Sequence, residues 1–143
     1  MKESAPNDPR PLITSGFSIA GKDLDPDRCS LLIGMEATEV GHIGEKRRPE
    51  SLVALRTSFW EISVPKMASD EIDACLKKVI DILWPKRERV MEFLEKEQFD
   101  EAGFFTIVSI HADRPLYEIS ADTLRRLSYF QTSYTIDIND YSD

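Results

Sequence analysis

Hydrophobic and polar residues alternate along several short segments of this chain, and that spacing is typical of β-strands. Trp60, Ile62 and Val64, for example, occupy every second position. The segment 104–111 is close to apolar on both faces, which favours a strand in the middle of a sheet. The predicted strands are 12–19, 53–64, 104–111 and 134–138, the last with one polar face, and Tyr117 and Ile119 are candidates to extend the sheet.

Other segments place apolar residues three and four positions apart, which predicts amphipathic α-helices. The first, at 26–33, has signals at both ends. Asp25 can cap it by accepting from its free N–H groups, Pro26 suits the first helical position, and Gly34 suits the left-handed residue after the end. The other predicted helices are 70–84 with Ser69 as its cap, 85–98, and one capped by Ser120 that includes Leu124, Leu127 and Phe130.

Helices and strands are interleaved along the chain, and this order predicts an α+β fold. We expect a two-layer sandwich in which a mixed or mostly antiparallel sheet carries helices on one side. A length of 143 residues fits one domain. The polar, proline-rich residues 1–11 predict a flexible N-terminal tail, and residues 12–143 are assigned to the single domain.

The balance of charged residues restricts the possible partners. The chain has 18 Lys and Arg residues against 26 Asp and Glu residues, a formal net charge of −8. A nucleic-acid partner is not expected, because phosphate backbones require a dominant basic face. A basic protein partner fits, because opposite charges speed association, although plain solubility also explains such a charge.

The sequence also predicts where the protein resides. No apolar run approaches the ~20 residues of a membrane helix, so we expect no membrane partner. Cys29 and Cys75 lie far apart on predicted apolar helix faces, which indicates buried free thiols and a reducing compartment. We therefore expect a cytoplasmic protein.

Residues with catalytic or ligating chemistry form no recognisable motif. Asp23, Asp25 and Asp27 have the chemistry to hold a divalent cation, but the residues after them do not match an EF-hand calcium loop. His42 and His111 are too few for a three-histidine zinc site. Neither a GxSxG elbow nor a glycine-rich phosphate loop is present. We expect no metal, no cofactor and no enzymatic activity.

The C-terminal region combines carboxylates with tyrosines, a composition suited to a protein interface. Asp137 and Asp140 can steer a basic partner, while exposed Tyr134 and Tyr141 can anchor it; a frayed polar tail is the alternative interpretation. The long loop after the first helix supplies a second predicted group of partner-binding residues, Glu36, Glu39 and Glu45.

The chain resembles a family of small bacterial proteins known only as a domain of unknown function. The resemblance begins with the motif Phe17-x-Ile19-x-Gly21-x-x-Leu24-Asp25-Pro26. It continues at Leu32, Gly34, Thr38, Gly44, Trp60, Pro115-Leu116, Ile119-Ser120 and the helix 124–127, and closes on the strand Ile136-Asp137-Ile138. The resemblance implies a compact α+β domain. By analogy, small acidic proteins of this kind are often immunity partners of bacterial toxins.

Two functional hypotheses follow from these observations. The first is a non-enzymatic, cytosolic immunity protein that neutralises a basic toxin domain by direct binding, with a nuclease as the example of such a toxin. The alternative is a small-molecule or nucleotide-binding domain, or an enzyme, with a pocket beside the loop 38–48 and with His42 and Arg47 as polar contacts. A structural role as the subunit of a homo-oligomer is also open.

Overall fold

The computed structural model describes residues 8–47 and 50–142 of the chain. Within these residues, strands and helices alternate along most of the sequence. The elements in order are β1 (Leu12–Gly21), α1 (Pro26–Ile33), β2 (Glu39–Gly41), β3 (Ser58–Ser63), β4 (Met67–Ala68), α2 (Ile72–Leu83), a 3-10 turn (Trp84–Lys86), α3 (Arg87–Lys96), β5 (Glu101–Ile110), α4 (Ala121–Tyr129) and β6 (Ser133–Asp140).

The strands form one six-stranded sheet around β1. Their order is β2-β3-β1-β5-β6, and the short β4 pairs with the start of β1. All neighbours are antiparallel except β5 and β6, which are parallel because α4 connects them as a crossover. The predicted α+β sandwich with a mostly antiparallel sheet is confirmed.

The helices pack against a single face of this sheet. Phe17 of β1, Trp60 of β3 and Phe104 of β5 point to that face, and all three are buried in one cluster with residues of α1 to α4. The rings of Phe17 and Phe104 lie 4.9 Å apart, and that of Phe130 lies 5.2 Å from Phe104. These aromatic contacts join the centre of the sheet to the end of α4.

The predicted signals around α1 are confirmed. The Asp25 side chain accepts from the N–H groups of Asp27 and Arg28, and Gly34 adopts a left-handed conformation with φ of 82°. Trp60 then fixes the helix to the sheet, because its indole N–H donates to the Ser30 hydroxyl at 3.0 Å.

The strand predicted at 53–64 is wrong in its first half. β3 begins at Ser58, and Val53 is 65% exposed. The neighbouring strand β2 has only three residues, so the earlier residues have no ladder to join beyond an isolated bridge between Ala54 and Lys46. The sequence pattern did not predict β2 or β4, because strands this short leave almost no periodic signal.

The predicted start of the second helix is also wrong. The Ser69 hydroxyl accepts from the Glu71 N–H at 3.0 Å in a turn before the helix, and α2 begins at Ile72 with no side-chain cap. α3 begins at Arg87, because the chain changes direction through the 3-10 turn that contains Pro85. The cap predicted at Ser120 is confirmed, since its hydroxyl accepts from Thr123 N–H.

Tyr117 and Ile119 do not extend the sheet. Both lie in the connection between β5 and α4, where the chain crosses the helix layer, and both pack against buried core residues. At the other end of the chain, Pro9 and Pro11 accept backbone hydrogen bonds from Asp113 and Ser69. The rest of the predicted tail, residues 1–7, lies outside the described residues.

A chain of three hydroxyl groups crosses the helix-covered side of the sheet. Ser15 and Thr106 are fully buried, and their side-chain oxygens lie 2.7 Å apart. The Tyr134 hydroxyl lies 2.7 Å from the Thr106 oxygen and completes the chain. Burial raises the pKa of Tyr134, so the phenol stays protonated and can serve as a hydrogen-bond donor.

Replacement of the last hydroxyl should weaken the fold without changing its packing. We expect Tyr134→Phe to lower the free energy of unfolding by about 1 kcal/mol, because it leaves Thr106 with one partner fewer. Tyr141→Phe is the matched control, since Tyr141 is 64% exposed. Urea denaturation followed by circular dichroism measures both, and equal stability of the two variants would contradict the role of the hydroxyl chain.

Candidate functional site

The sheet face opposite the helices carries no helix among the described residues, and we call it the uncovered face. Its residues alternate with the buried ones, because successive side chains of a strand point to opposite sides. They are the even-numbered residues of β1, the odd-numbered residues of β2, β3, β5 and β6, and the side chains around them such as Leu55 and Arg47.

Small residues let an aromatic ring lie across the centre of this face. A Cβ atom on Gly16 would stand only 2.5 Å from the Phe105 ring and 2.8 Å from the Ile62 carbonyl oxygen. Phe105 of β5 therefore occupies the space above β1 that a larger residue would fill. Phe105 and its neighbour Ile107 are only partly buried, so they give the uncovered face an apolar centre.

Two carboxylates lie side by side at the β2–β3 end of the uncovered face. Glu39 and Glu61 are directly opposite each other in the antiparallel pair. Burial, and secondarily the charge of Glu39, raises the pKa of the Glu61 carboxyl above its usual range. Like charges at opposed positions destabilise a sheet, so this corner is electrostatically frustrated and favours the approach of a cation.

Arg47 offsets part of that negative charge. Its guanidinium donates to Glu39 and lies over the Phe59 ring, 5.0 Å from the ring centre. Glu61 accepts no hydrogen bond from Arg47, which is bonded to Glu39 instead. Glu61, the carboxylate nearer the centre of the face, is therefore the one that a cation from a partner could reach.

Only two of the seven predicted partner-binding residues lie on the uncovered face, Glu39 and Asp137. Glu39 is on β2 at one edge, whereas Asp137 is on β6 at the other, opposite Ile107 of β5. Both are exposed. With about 4.8 Å between neighbouring strands, the edges are about 19 Å apart, so the two predicted acidic groups belong to one surface but not to one cluster.

The prediction that Tyr134 is exposed is wrong. Its side chain points to the helix side, where its hydroxyl meets Thr106. Tyr134 is paired with the buried Phe104 of β5, so both side chains point to the helix side of the sheet. Tyr134 is therefore only partly exposed, and its hydroxyl is engaged by Thr106 on the helix side of the sheet.

The other two C-terminal residues lie at the end of β6. Hydrogen bonds from Ser142 and from the Arg114 guanidinium lower the pKa of the Asp140 carboxyl to about 2. Arg114 contacts this carboxylate at 3.0 Å, so Asp140 is already paired. Tyr141 is exposed and stacks on the His111 ring with 5.5 Å between ring centres.

The loop residues Glu36 and Glu45 are exposed and are not part of a strand. Glu45 accepts from the backbone N–H of His42, and the His42 imidazole lies 3.0 Å from the same carboxylate. These hydrogen bonds lower the pKa of Glu45. The contacts close a turn within the loop, so His42 has a structural partner. Arg48, the last residue of the loop 38–48, lies outside the described residues.

Two cavities open near the uncovered face. One, of about 240 Å³, lies beside the predicted loop pocket and is lined by Arg47 but not by His42. The other, of about 960 Å³, lies where α3 and the end of α4 meet the starts of β5 and β6. Its walls combine apolar and acidic side chains, including Phe99, Phe105 and Glu95. The larger cavity is therefore remote from the loop 38–48.

Other reactive groups are inert or isolated. Cys29 and Cys75 are free and buried, as predicted, and burial raises the pKa of the Cys29 thiol to about 12. Within residues 8–47 and 50–142, no three His, Cys, Asp or Glu side chains converge as a metal site. Across the same residues, every helix is too short or too polar to cross a membrane.

Sequence reasoning missed the residues at the centre of the uncovered face, above all Glu61, Phe105 and Ile107. The signal for Glu61 was present, because it alternates with Trp60 and Ile62, which the pattern placed in the core. The sequence pattern indicated less clearly that Phe105 and Ile107 lie on the uncovered face. A strand that is apolar on both sides does not reveal which side lacks a covering layer.

Comparison with known proteins identifies a family for nearly the whole chain. The model of the family described as Domain of unknown function (DUF4279) matches residues 12–141. Neither the curated proteins nor the solved structures contain a match. The match supports the resemblance noted in the sequence and assigns no activity.

Removal of the Glu61 charge should stabilise the fold at neutral pH. The raised pKa means that folding penalises the ionised form, so the penalty develops as pH rises above the usual value of 4.5. We expect Glu61→Gln to increase the free energy of unfolding at pH 7 by roughly 0.5 kcal/mol. The gain should vanish below the usual pKa, where the wild-type carboxyl is neutral in both states.

Chemical denaturation at several pH values tests this prediction. Glu101→Gln is the control, because Glu101 is an exposed carboxyl on the same face and lies opposite Ala20. A pH-independent gain, or an equal gain in the control, would contradict the electrostatic explanation.

Proposed function

The chain belongs to the family described as Domain of unknown function (DUF4279), and we propose that it is a non-enzymatic binding protein that inhibits a basic protein partner. The observation that carries the proposal is the uncovered face, which combines an apolar centre with carboxylates at both edges. The partner we propose is a toxin domain, so the protein would act as its immunity protein.

The dimensions of the uncovered face suit a protein partner. Five strands at about 4.8 Å spacing, with β1 ten residues long, give at most about 700 Å² of projected area. A partner in a standard interface contributes roughly 800 Å². The face is thus large enough to form most of an interface, and Phe105 and Ile107 supply the apolar contacts expected near its middle.

The arrangement of charge favours a cationic group at a defined position. A Lys or Arg of the partner placed beside Glu61 would separate it from Glu39 and remove their repulsion. The pairing would also be desolvated, because Glu61 is partly buried. Charge pairs of this kind contribute to specificity, since a neutral or acidic group at the same point leaves the frustration in place.

Binding of the acidic face would inhibit a partner that needs its own basic surface for activity. Nucleases are the first class to test, because an enzyme that binds phosphate backbones needs a basic face. An acidic face that covers it would exclude nucleic acid, and the net charge of −8 would speed the encounter. A cytoplasmic location would allow the protein to protect the cell that makes it.

The cavity of about 960 Å³ favours a second candidate function, the binding of a small molecule. Its volume and mixed apolar and polar lining are those of ligand sites in general. This candidate differs from the sequence-based alternative in its location, which is at the α3–β5–β6 end instead of the loop 38–48. A rise in melting temperature with one compound of a metabolite panel, lost in Phe99→Ala, would support it.

Charge reversal on the uncovered face should abolish protection. We expect the wild-type chain to rescue growth of cells that express a nuclease toxin domain encoded beside its gene. Glu61→Lys and Asp137→Lys should each weaken binding of the purified toxin domain about tenfold or more, chiefly through slower association with less dependence on salt. Biolayer interferometry measures the rates.

Glu88→Lys on α3 is the matched control, because it changes the net charge equally at an exposed position in the helix layer. Glu61→Lys should not unfold the chain, since it replaces a repulsion with Glu39 by an attraction. Wild-type affinity in both face variants would rule out the proposed interface. Absence of rescue by the wild-type chain would rule out the immunity function for that toxin class.

A further inference from the structure

Among the described residues, the outer edge of β6 is a long strand edge without a neighbouring strand. β6 pairs with β5 on one side only and ends the sheet, whereas β2 at the opposite end has just three residues. An unpaired strand edge presents N–H and C=O groups that can join another strand. An edge of eight residues therefore offers a second, separate place for a contact between chains.

The register shows which backbone groups face outward. The Tyr141 N–H donates to the Ile110 carbonyl at 2.7 Å, so the odd-numbered residues of β6 bond to β5. The even-numbered residues Tyr134, Ile136 and Ile138 consequently direct their N–H and C=O groups away from the sheet. Among the described residues, none of these groups has a hydrogen-bond partner outside β6.

β6 has few of the features that usually protect a strand edge. It contains no Lys, Pro or Gly, and it pairs with β5 without a bulge from Ser133 to Asp140. Soluble proteins normally use such features, or charged side chains, to prevent strand edges from pairing. The charged residues of β6 are Asp137 and Asp140, and Asp140 is paired with Arg114, so most of the edge is open to another strand.

Two large apolar side chains accompany the free edge. Ile136 is 41% exposed and Ile138 is 53% exposed, both on the helix side of β6. α4 does not cover them, although the inward-facing residues of β5, such as Val108, are fully buried. A strand added beside β6 would shield both isoleucines.

We propose that the protein forms a homodimer in which β6 pairs antiparallel with β6 of a second copy, with Ile136 opposite Ile136. A two-fold axis perpendicular to the sheet relates the copies. This register matches the outward backbone groups of Tyr134, Ile136 and Ile138 with each other and forms about six hydrogen bonds. It also places Ile138 of each copy against Tyr134 of the other.

Charge distinguishes this register from its neighbours. With Ile136 at the axis, Asp137 lies opposite Thr135 of the second copy, and no like charges are directly opposed. With the axis at residue 137, the two Asp137 residues would form a non-hydrogen-bonded pair, where opposed side chains lie closest. Two opposed carboxylates at such a position destabilise a sheet. With the axis at Ile138, Asp140 would oppose Ile136. Of these three registers, only the one centred on Ile136 opposes neither two carboxylates nor a carboxylate and an isoleucine.

The dimer would join the two sheets into one. Because the axis is perpendicular to the sheet, both uncovered faces lie on the same side, and both helix layers lie on the other. The inference is independent of the proposed partner. The edge uses the outward backbone groups and the two isoleucines of β6, whereas the uncovered face uses the Asp137 side chain.

The first test is the mass of the whole chain in solution. Sedimentation equilibrium over a wide concentration range should give twice the chain mass of 16.3 kDa, with dissociation on dilution. Ile138→Lys should give the monomer mass. Leu31→Lys on α1 is the control, because Leu31 is a 75% exposed apolar residue far from β6, and it should leave the dimer intact. Circular dichroism checks that both variants fold.

The second test measures the register by disulfide formation under mild oxidation. Cys29 and Cys75 are buried and should not react. Ile136→Cys should give a covalent dimer, because opposed residues have Cα atoms about 5.5 Å apart, within the range for disulfides. Asp137→Cys should react much more slowly, since its copies would be diagonal neighbours.

Each outcome decides between the alternatives. A dimer that Ile138→Lys dissociates and Ile136→Cys cross-links supports the proposal. A monomer at every concentration, or a dimer unaffected by Ile138→Lys, overturns it. Faster cross-linking of Asp137→Cys overturns the register. A wild-type monomer whose Ile138→Lys variant no longer binds the toxin domain would instead assign the edge to a strand of that partner.

Discussion

The four α-helices of the described residues all bury the same face of the sheet, and the rest of the structure depends on that one-sided burial. The strands β1, β3 and β5 place large apolar side chains such as Phe17, Trp60 and Phe104 on one side only. The other side carries Phe105 and Ile107 at its centre, with small residues and carboxylates around them. It therefore offers less apolar surface to bury, and no helix of the described residues covers it.

The covered face also determines the geometry of the free one. Trp60 is fully buried and is tied to α1 through its hydrogen bond with Ser30. Because neighbouring residues of a strand point to opposite sides, that contact fixes the direction of Glu61. The like-charge pair with Glu39 therefore persists despite its cost. Costs of this kind are common at functional sites, and for that reason we place the proposed partner contact here.

The connection between β5 and β6 explains why the sheet is open at one edge. A parallel pair requires a crossover, which α4 provides, and within the described residues no further strand pairs with the outer edge of β6. The free edge carries two exposed isoleucines, while the uncovered side of the same strand carries Asp137. One strand thus contributes to two different surfaces.

The sequence by itself determined most of the elements and the class of the fold. Strong local signals, such as the Asp25 cap, Gly34 and the apolar spacing in α2, depend on neighbouring residues and were sufficient. The helix-side orientation of Tyr134, the short strands β2 and β4, and the opposition of Glu39 and Glu61 were not predictable in this way. They depend on which strands become neighbours and in which register, and contacts between distant residues decide that only in the folded chain.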